Sequence, residues 1–460
     1  MFKKFNFKIV LFILFLIVIF SFQFSNIKLY VKNNLSTNSK NFIKENFFFN
    51  YTIENQKKDI INKSKQISKL KKDNKRLKYQ LMFLKSQFDN GKLIQKNDYI
   101  NVGINKFNTI KKYQISDTNI QLYESEEDFS GSFYVEKFNQ KIILNFSNGN
   151  VFFFDEKDLD KHKLDIKYLK SNLKSFLDNT NERDTTSKIR DTLVINDKIY
   201  VSYVKRIKKG CFNTSILYSK INFQYIEFEE YFTYPECINT NIVTIGTGGR
   251  IEKVFNEKLL LTTGDQLQLY PAQNPTSMFG KTILIDRKTR KFKIATMGHK
   301  NPQGLVYSNL HNLIFSSEHQ SKGGDEINLL KISENKIFNY GWAISSYGDH
   351  YSYVSKKDRK KYPLYKSHKK YGFEEPLIHF SPAIAPSELV IEYEDKDKIH
   401  LILSTLKDKS LYELEYSVKK NKILLGKKTI IGQRIRDLYY SKDYILLSLE
   451  GNSALAIIKK

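Results

Sequence analysis

A chain of 460 residues, 41% hydrophobic and 14% aromatic, is long enough to bury a large core and too apolar to remain a disordered polyelectrolyte. Its net charge of +26 comes from Lys dispersed among Asn and Ile, with no compact basic patch between aromatics, which argues against nucleic-acid binding. Arg is scarce, ten in all, so an Arg inside a motif carries more weight than a Lys.

Ile9 to Ile27 carry no charge and are mostly Ile, Leu, Phe and Val. As a helix this stretch is about 28 Å long, enough to span a bilayer. Lys3, Lys4 and Lys8 precede it, which predicts an N-terminus inside and an exported body, periplasmic or equivalent. A cleaved signal peptide is the alternative, but Ser21-Phe22-Gln23-Phe24-Ser25 offers only serines as small residues at a cleavage site. Residues 1–30 are therefore expected to be a cytoplasmic stub and transmembrane anchor.

Residues 31–95 are expected to hold a linker and a coiled-coil stalk. Ile53, Ile60, Ile67, Asn74, Leu81 and Phe88 repeat every seven residues, and Leu70, Leu77 and Leu84 follow at the d spacing. Asn74 at an a position is the kind of polar residue that fixes register in a parallel dimer. The other reading is one amphipathic helix packed on its own domain, since only about three heptads are well formed.

From about Ile100 the chain reads as short strands and turns, giving a domain over 100–460. One unit recurs, a polar turn followed by an apolar strand. It starts at Asn139, Asn196, Asn256, Leu310, Lys396 and Ser441. Six copies, mostly 50 to 60 residues apart, predict an all-β six-bladed propeller. The widest gap holds an insertion, Asp349 to Phe380, rich in Lys and Tyr and expected to lie over a face as a lid or partner surface. Cys211 and Cys237 are the only cysteines. In an exported chain an even pair predicts one disulfide, closed by a hairpin around Asn222; two buried thiols are the alternative.

Polar and small residues gather in Gly298-His299-Lys300-Asn301-Pro302-Gln303-Gly304, Ser317-Glu318-His319, Gly323-Gly324-Asp325-Glu326 and Asn339-Tyr340-Gly341-Trp342. Gly248-Gly249-Arg250, Thr262-Thr263-Gly264-Asp265, Ile384-Ala385-Pro386-Ser387, Leu406-Lys407 and Arg434-Ile435-Arg436-Asp437 complete the set. In order and spacing these motifs resemble the soluble quinoprotein glucose/sorbosone (aldose sugar) dehydrogenases, over roughly Val194 to the C-terminus. The resemblance implies a six-bladed propeller that holds pyrroloquinoline quinone and calcium on one face and oxidises a sugar hydroxyl by hydride transfer to the quinone.

A quinone with three carboxylates calls for cations and donors from several blades. Lys300, Asn301, Lys407, Arg434 and Arg436 are the expected cofactor-binding residues. The bland reading of Arg434 and Arg436 is a same-face pair bonded to a neighbouring carboxylate such as Asp437 or Glu326. Asp265, Asp325 and Glu326 read as loop-ordering residues, and His299 as ordering its own turn. No second His is spaced to join His319 in a zinc site.

This chain departs from the family at four points. The family's base His, two residues before Gly-Gly-Arg, is Gly246, so no catalytic base is assigned. Lys300 stands where the family has Arg, losing the planar fork. Gln320-Ser321 replace the Gly-Pro whose backbone carbonyls help hold calcium. Ala383 stands where a Thr often precedes the Ala-Pro-Ser motif. Two function classes therefore stand: a membrane-anchored, quinone-dependent sugar dehydrogenase, and a non-catalytic propeller that binds a carbohydrate or a protein partner in the cell envelope. A hydrolase or lactonase lacks a suitably spaced His-Asp dyad.

Overall fold

The computed structural model describes residues 61–64, 66–68 and 70, the backbone of 94–101 and 109–116, and 132–460 apart from 162–163, 178–187, 241–244, 256 and 451–452. The chain divides into two units, Met1–Lys78 and Tyr79–Lys460. In the first, the expected anchor and most of the expected stalk lie outside the described residues. The described stalk residues of this unit are helical, with Ile61, Ile67 and Leu70 exposed, whereas the last two residues of the expected stalk, 94 and 95, begin a strand. Among the described residues no helix is long and apolar enough to cross a membrane.

The second unit is six antiparallel blades. In chain order β1 (Ile94–Asn101) and β2 (Thr109–Ser116) come first. Blade 1 is β3 (Phe133–Phe138), β4 (Lys141–Phe146), β5 (Val151–Asp155) and β6 (Lys167–Leu169). Blade 2 is β7 (Ile189–Ile195), β8 (Lys198–Lys208), β9 (Cys211–Lys220) and β10 (Glu229–Phe232), with β11 (Ile238–Asn239) also on β9. Blade 3 is β12 (Gly248–Val254), β13 (Lys258–Thr263), β14 (Lys281–Asp286) and β15 (Phe292–Met297). Blade 4 opens with β16 (Asn301–Ser308), β17 (Leu313–His319) and β18 (Asp325–Leu330). The insertion that follows sends β19 (Phe338–Asn339) to β15 in parallel and returns β20 (Ile378–Phe380) to β18. Blade 5 is β21 (Pro386–Glu394), β22 (Lys398–Thr405), β23 (Ser410–Ser417) and β24 (Lys422–Ile430). Blade 6 is β25 (Ile435–Tyr440), β26 (Tyr444–Leu449) and β27 (Ala454–Lys459), onto which β2 and then β1 add from the other end of the chain. Among the described residues strand structure thus begins at Ile94, ahead of the expected domain start near Ile100.

The innermost strands β3, β7, β12, β16, β21 and β25 contact one another in a closed ring. The recurring sequence unit is the turn into the second strand of each blade. Asn139, Asn196 and Asn312 adopt left-handed φ of 54°, 55° and 57° there, a conformation Asn tolerates. Each second strand carries an apolar run because both of its faces are buried there. Leu259 and Leu261 pack toward blade 2 with Tyr200 and Ile216, while Leu260 packs toward blade 4 with Leu305 and Ile314. Blade 5 repeats this, with Leu401 and Leu403 against Phe315 and Ile402 against Ile445 and Leu447. Six such layers between blades form the core, and removing one of these leucines costs about 2–5 kcal/mol. Cys211 and Cys237 are joined with Cα atoms 5.4 Å apart, because β11 returns to β9 and pairs Ile238 with Phe212.

Candidate functional site

The motif residues share one end of the blades. There each innermost strand begins and each second strand ends: Lys300 precedes β16, Ala385 precedes β21 and Arg434 precedes β25, while Asp265 follows β13, His319 ends β17, Lys407 follows β22 and Glu450 follows β26. Near that end five of the six innermost strands carry a β-bulge, at Arg190, Gly249–Arg250, Gln303, Ser387–Glu388 and Arg436. A bulge re-aims a side chain. Gly249 permits one of them: its φ is 108° and a Cβ there would lie 2.3 Å from the Arg190 Cβ.

The re-aimed groups meet on the ring's axis. Arg250, 3% exposed, donates through Nη1 to Asp191 at 2.9 Å and Asp437 at 2.8 Å, and pairs also with Glu388. Its Nε donates to Gln303 O at 2.6 Å and its Nη2 to Arg436 O at 3.1 Å. The acids Asp191, Glu388 and Asp437 hold oxygens within 4.8 Å of one another, and the guanidinium sits on all three. Arg250 is therefore a structural cation joining blades 2, 3, 4, 5 and 6.

Beside the axis lies a second polar group containing three of the expected cofactor residues. Asn301 Oδ1 accepts from Gly248 N and from Gln303 Nε2, both at 3.0 Å. Arg436 donates to Gln303 Oε1 at 3.1 Å and to Glu450 at 2.8 Å, and Arg434 donates to the other oxygen of Glu450 at 3.2 Å. The carboxylate partner of this Arg pair is thus Glu450, which the sequence reading did not name. The Arg436 Nε is buried with no hydrogen-bond partner. Asn301 Nδ2 lies 3.4 Å from His319 Nδ1, and His319 Nε2 lies 2.8 Å from Pro386 O. Burial, then Lys300 and Arg436, and also Arg434, push this imidazole down to about 3, so it is neutral. Lys407 is exposed, with its backbone bonded to Ile384 in the loop that carries Pro386. Lys300, Asn301, Arg434 and Arg436 thus converge on His319, with the Lys407 backbone alongside.

Next to this group is a cavity of 380 Å³ floored by Asp265, Lys300 and Trp342. Lys300 Nζ lies 5.5 Å from the Trp342 ring centroid. Asp265 accepts from Trp342 Nε1 at 2.7 Å and from Leu267 N at 2.9 Å. The insertion supplies the outer wall through His350, Tyr351, Tyr353 and Tyr362, with a short helix α1 (Lys356–Lys361), capped by Ser355, between the last two. Tyr351 and Tyr353 stack with ring planes 5° apart. Asp265 orders its loop by accepting from Leu267, and it also floors this cavity. A larger cavity of 550 Å³ lies between blades 1 and 6 at the opposite end, where Tyr444 and Lys459 already bond Glu156 and Asp160.

Beneath Lys300, Glu318 is fully buried and accepts from Gln320 Nε2 at 2.8 Å and Asn328 Nδ2 at 3.1 Å, with His299 Nδ1 at 3.4 Å. The Gln320 amide nitrogen also reaches Glu326 at 3.2 Å, and Glu326 pairs with His368 at 3.2 Å. Ser321 O accepts from Gly324 N at 3.1 Å, so one of the two carbonyls at the family's calcium position already serves its own turn.

A family model described as Glucose / Sorbosone dehydrogenase matches residues 190–459. The aldose sugar dehydrogenase YliI of Escherichia coli is 26% identical over 282 residues, 57% of this chain and 72% of that protein. The Synechocystis protein slr1608 is 30% identical over 240 residues, 46% of this chain and 55% of its own length. Among solved structures, the soluble aldose sugar dehydrogenase of Escherichia coli in its apo-form superposes with a TM-score of 0.57 at 20% identity, covering 74% of this chain and 98% of that one. The PQQ-bound aldose sugar dehydrogenase of Streptomyces coelicolor superposes at 0.52 and 14% identity, covering 80% and 99%. With a six-bladed ring and a family match over more than half of its residues, the chain belongs to the glucose/sorbosone dehydrogenase family.

Proposed function

We propose that this chain is a quinone-dependent aldose sugar dehydrogenase, held at a membrane by residues 9–27 and paired with a second copy through its stalk. The single observation that carries the reading is the convergence of Lys300, Arg434 and Arg436 on a neutral His319 beside an open cavity. Arg434 and Arg436 both bond Glu450, and Arg436 keeps an unpartnered buried Nε. That donor set fits a polycarboxylate.

In this reading Arg436, Arg434 and Lys300 would hold the carboxylates of pyrroloquinoline quinone, Asn301 would supply a donor, and Lys407 would contribute charge from the exposed rim. The quinone, when bound, supplies a two-electron acceptor. The protein's part is positioning and water exclusion: Trp342, Tyr351 and Tyr353 present flat apolar surface to the faces of a sugar ring, and Lys300 and Asp265 address its hydroxyls. Calcium would be held near Gln320 and Ser321, with Gln320 as the freer carbonyl.

Gly246 favours a second reading, a propeller that binds carbohydrate or a protein partner without turnover, since glycine cannot take the hydroxyl proton. Reconstitution with quinone and calcium, followed by aldose-dependent reduction of an artificial acceptor and mass detection of the lactone, separates the two. Lactone formation supports the dehydrogenase; saturable sugar binding with no lactone supports the binder.

A further inference from the structure

We propose that Asp265 is the proton acceptor of this site, replacing the family's base histidine, and that it acts on a sugar hydroxyl seated against Trp342 and Lys300. The inference rests on the dehydrogenase reading above and deepens it.

Position is the first argument. Gly246 has a φ of 72°, and a Cβ there would lie 3.2 Å from Asp265 Oδ1 and 3.2 Å from Leu267 N. A side chain at 246 would start in left-handed backbone and press on Asp265 at once. In this chain the carboxylate already fills the space beside the missing imidazole. Lone-pair arithmetic is the second. Oδ1 accepts from Leu267 N and Oδ2 from Trp342 Nε1, one bond each, and each carboxylate oxygen has a further lone pair for a substrate hydroxyl. The third is surroundings. Asp265 is 1% exposed yet lines the cavity, with Lys300 on the same floor.

Burial pushes the Asp265 carboxyl up to about 6, against the lowering by Lys300 and by its bonds from Leu267 and Trp342; Glu318 adds to the rise. Tyr353 is the titratable group facing it from the insertion, and His350, Asp358 and Lys361 line the cavity further out. A carboxylate poised near 6 is ionised at neutral pH and far more basic than an ordinary aspartate. The sugar O–H bond breaks and its proton goes to Asp265; the C–H bond breaks and its hydrogen leaves with both electrons to the quinone; the carbonyl forms between those two atoms.

Trp342 is the only tryptophan, and its indole N–H is bonded to Asp265, so its emission reports this carboxyl without any cofactor. The expected result in the full chain is an emission change with a midpoint near pH 6 that Asp265→Asn abolishes. In protein loaded with quinone, wild-type kcat should rise with pH through the same midpoint. Asp265→Asn should take up quinone as the wild type does while kcat falls about a hundredfold to ten-thousandfold, and Asp265→Glu should recover part of it. Circular dichroism confirms that the variants are folded. An emission midpoint that survives Asp265→Asn, or turnover of that variant within about threefold of wild type, overturns the assignment. Failure of wild-type protein to take up quinone refutes the dehydrogenase reading and the acceptor with it; uptake with unchanged turnover refutes the acceptor alone.

Discussion

Replacing Arg250 by methionine removes the cation on which five blades meet. The side chain that remains fills similar space but satisfies none of the five groups bonded to the guanidinium: Asp191, Asp437, Glu388, Gln303 O and Arg436 O. Three acids, none more than 8% exposed, are then left with oxygens within 4.8 Å of one another. Breaking a buried ion pair by removing one partner costs about 3–5 kcal/mol. At roughly 2 °C per kcal/mol for a domain of this size, the melting temperature should fall by about 6–10 °C. The loss also has a sign in pH. Burial already holds Asp191 up at about 6 and Glu388 well above the usual carboxylate range, even with the Arg in place. Without it their folded values rise further, so the native state binds more protons than the unfolded one and stability falls as pH rises through those values. The penalty of Arg250→Met should therefore be largest near pH 8 and shrink toward about pH 5. Thermal melting followed by circular dichroism at both pH values measures it. A variant that melts within about 2 °C of wild type at the higher pH refutes the idea that this charge cluster holds the ring together.

Four further outcomes are expected. Reducing or replacing Cys211 and Cys237 opens a loop of 26 residues and should cost about 3.5 kcal/mol in the chain-entropy model, with peptide mapping under non-reducing conditions reporting the bond itself. Protein lacking the first 30 residues should sediment as a dimer and become monomeric when the stalk is removed, since the a and d residues Ile67 and Leu70 are exposed; a monomer with the stalk present refutes the coiled coil. Gly246→His should destabilise by at least about 1–2 kcal/mol through its left-handed backbone alone and should not raise turnover, because the new side chain crowds Asp265; a large gain in kcat would show that Asp265 is not the acceptor. Leu260→Ala should cost about 2–5 kcal/mol in chemical denaturation, as the central residue of a strand buried on both faces.

The propeller was legible because its signal is local. A polar turn entering a strand with an apolar run recurs in each blade, and Leu259-Leu260-Leu261 carries no alternation because the neighbours on both sides are protein. Closure of the ring was not legible: β1 and β2 are polar, and β27, onto which β2 adds, lies some 340 residues along the chain. The same contrast holds at the site. Arg434 and Arg436 stood out as two of few arginines, but Glu450 is in another strand's exit loop and no spacing points to it. Gly-Gly-Arg stood out only as part of the family pattern, and the role of its Arg250 depends on acids from blades 2, 5 and 6. A signal for the axis was present, in the charged residue near the start of several innermost strands: Asp191, Arg250, Glu388 and Asp437. Asp265 was legible as a loop residue, but its place on the cavity floor depends on Trp342 folding over from 77 residues away.

The central claim, that the cations around His319 hold an anionic quinone, is tested most directly by calorimetric titration of pyrroloquinoline quinone into the calcium-loaded full chain, wild type beside Arg436→Ala. Stoichiometric binding by the wild type is expected, with affinity lost by roughly a hundredfold or more in the variant, the equivalent of about 3 kcal/mol for a buried charge-assisted partner. No binding by wild-type protein, or equal binding by both, would contradict the account.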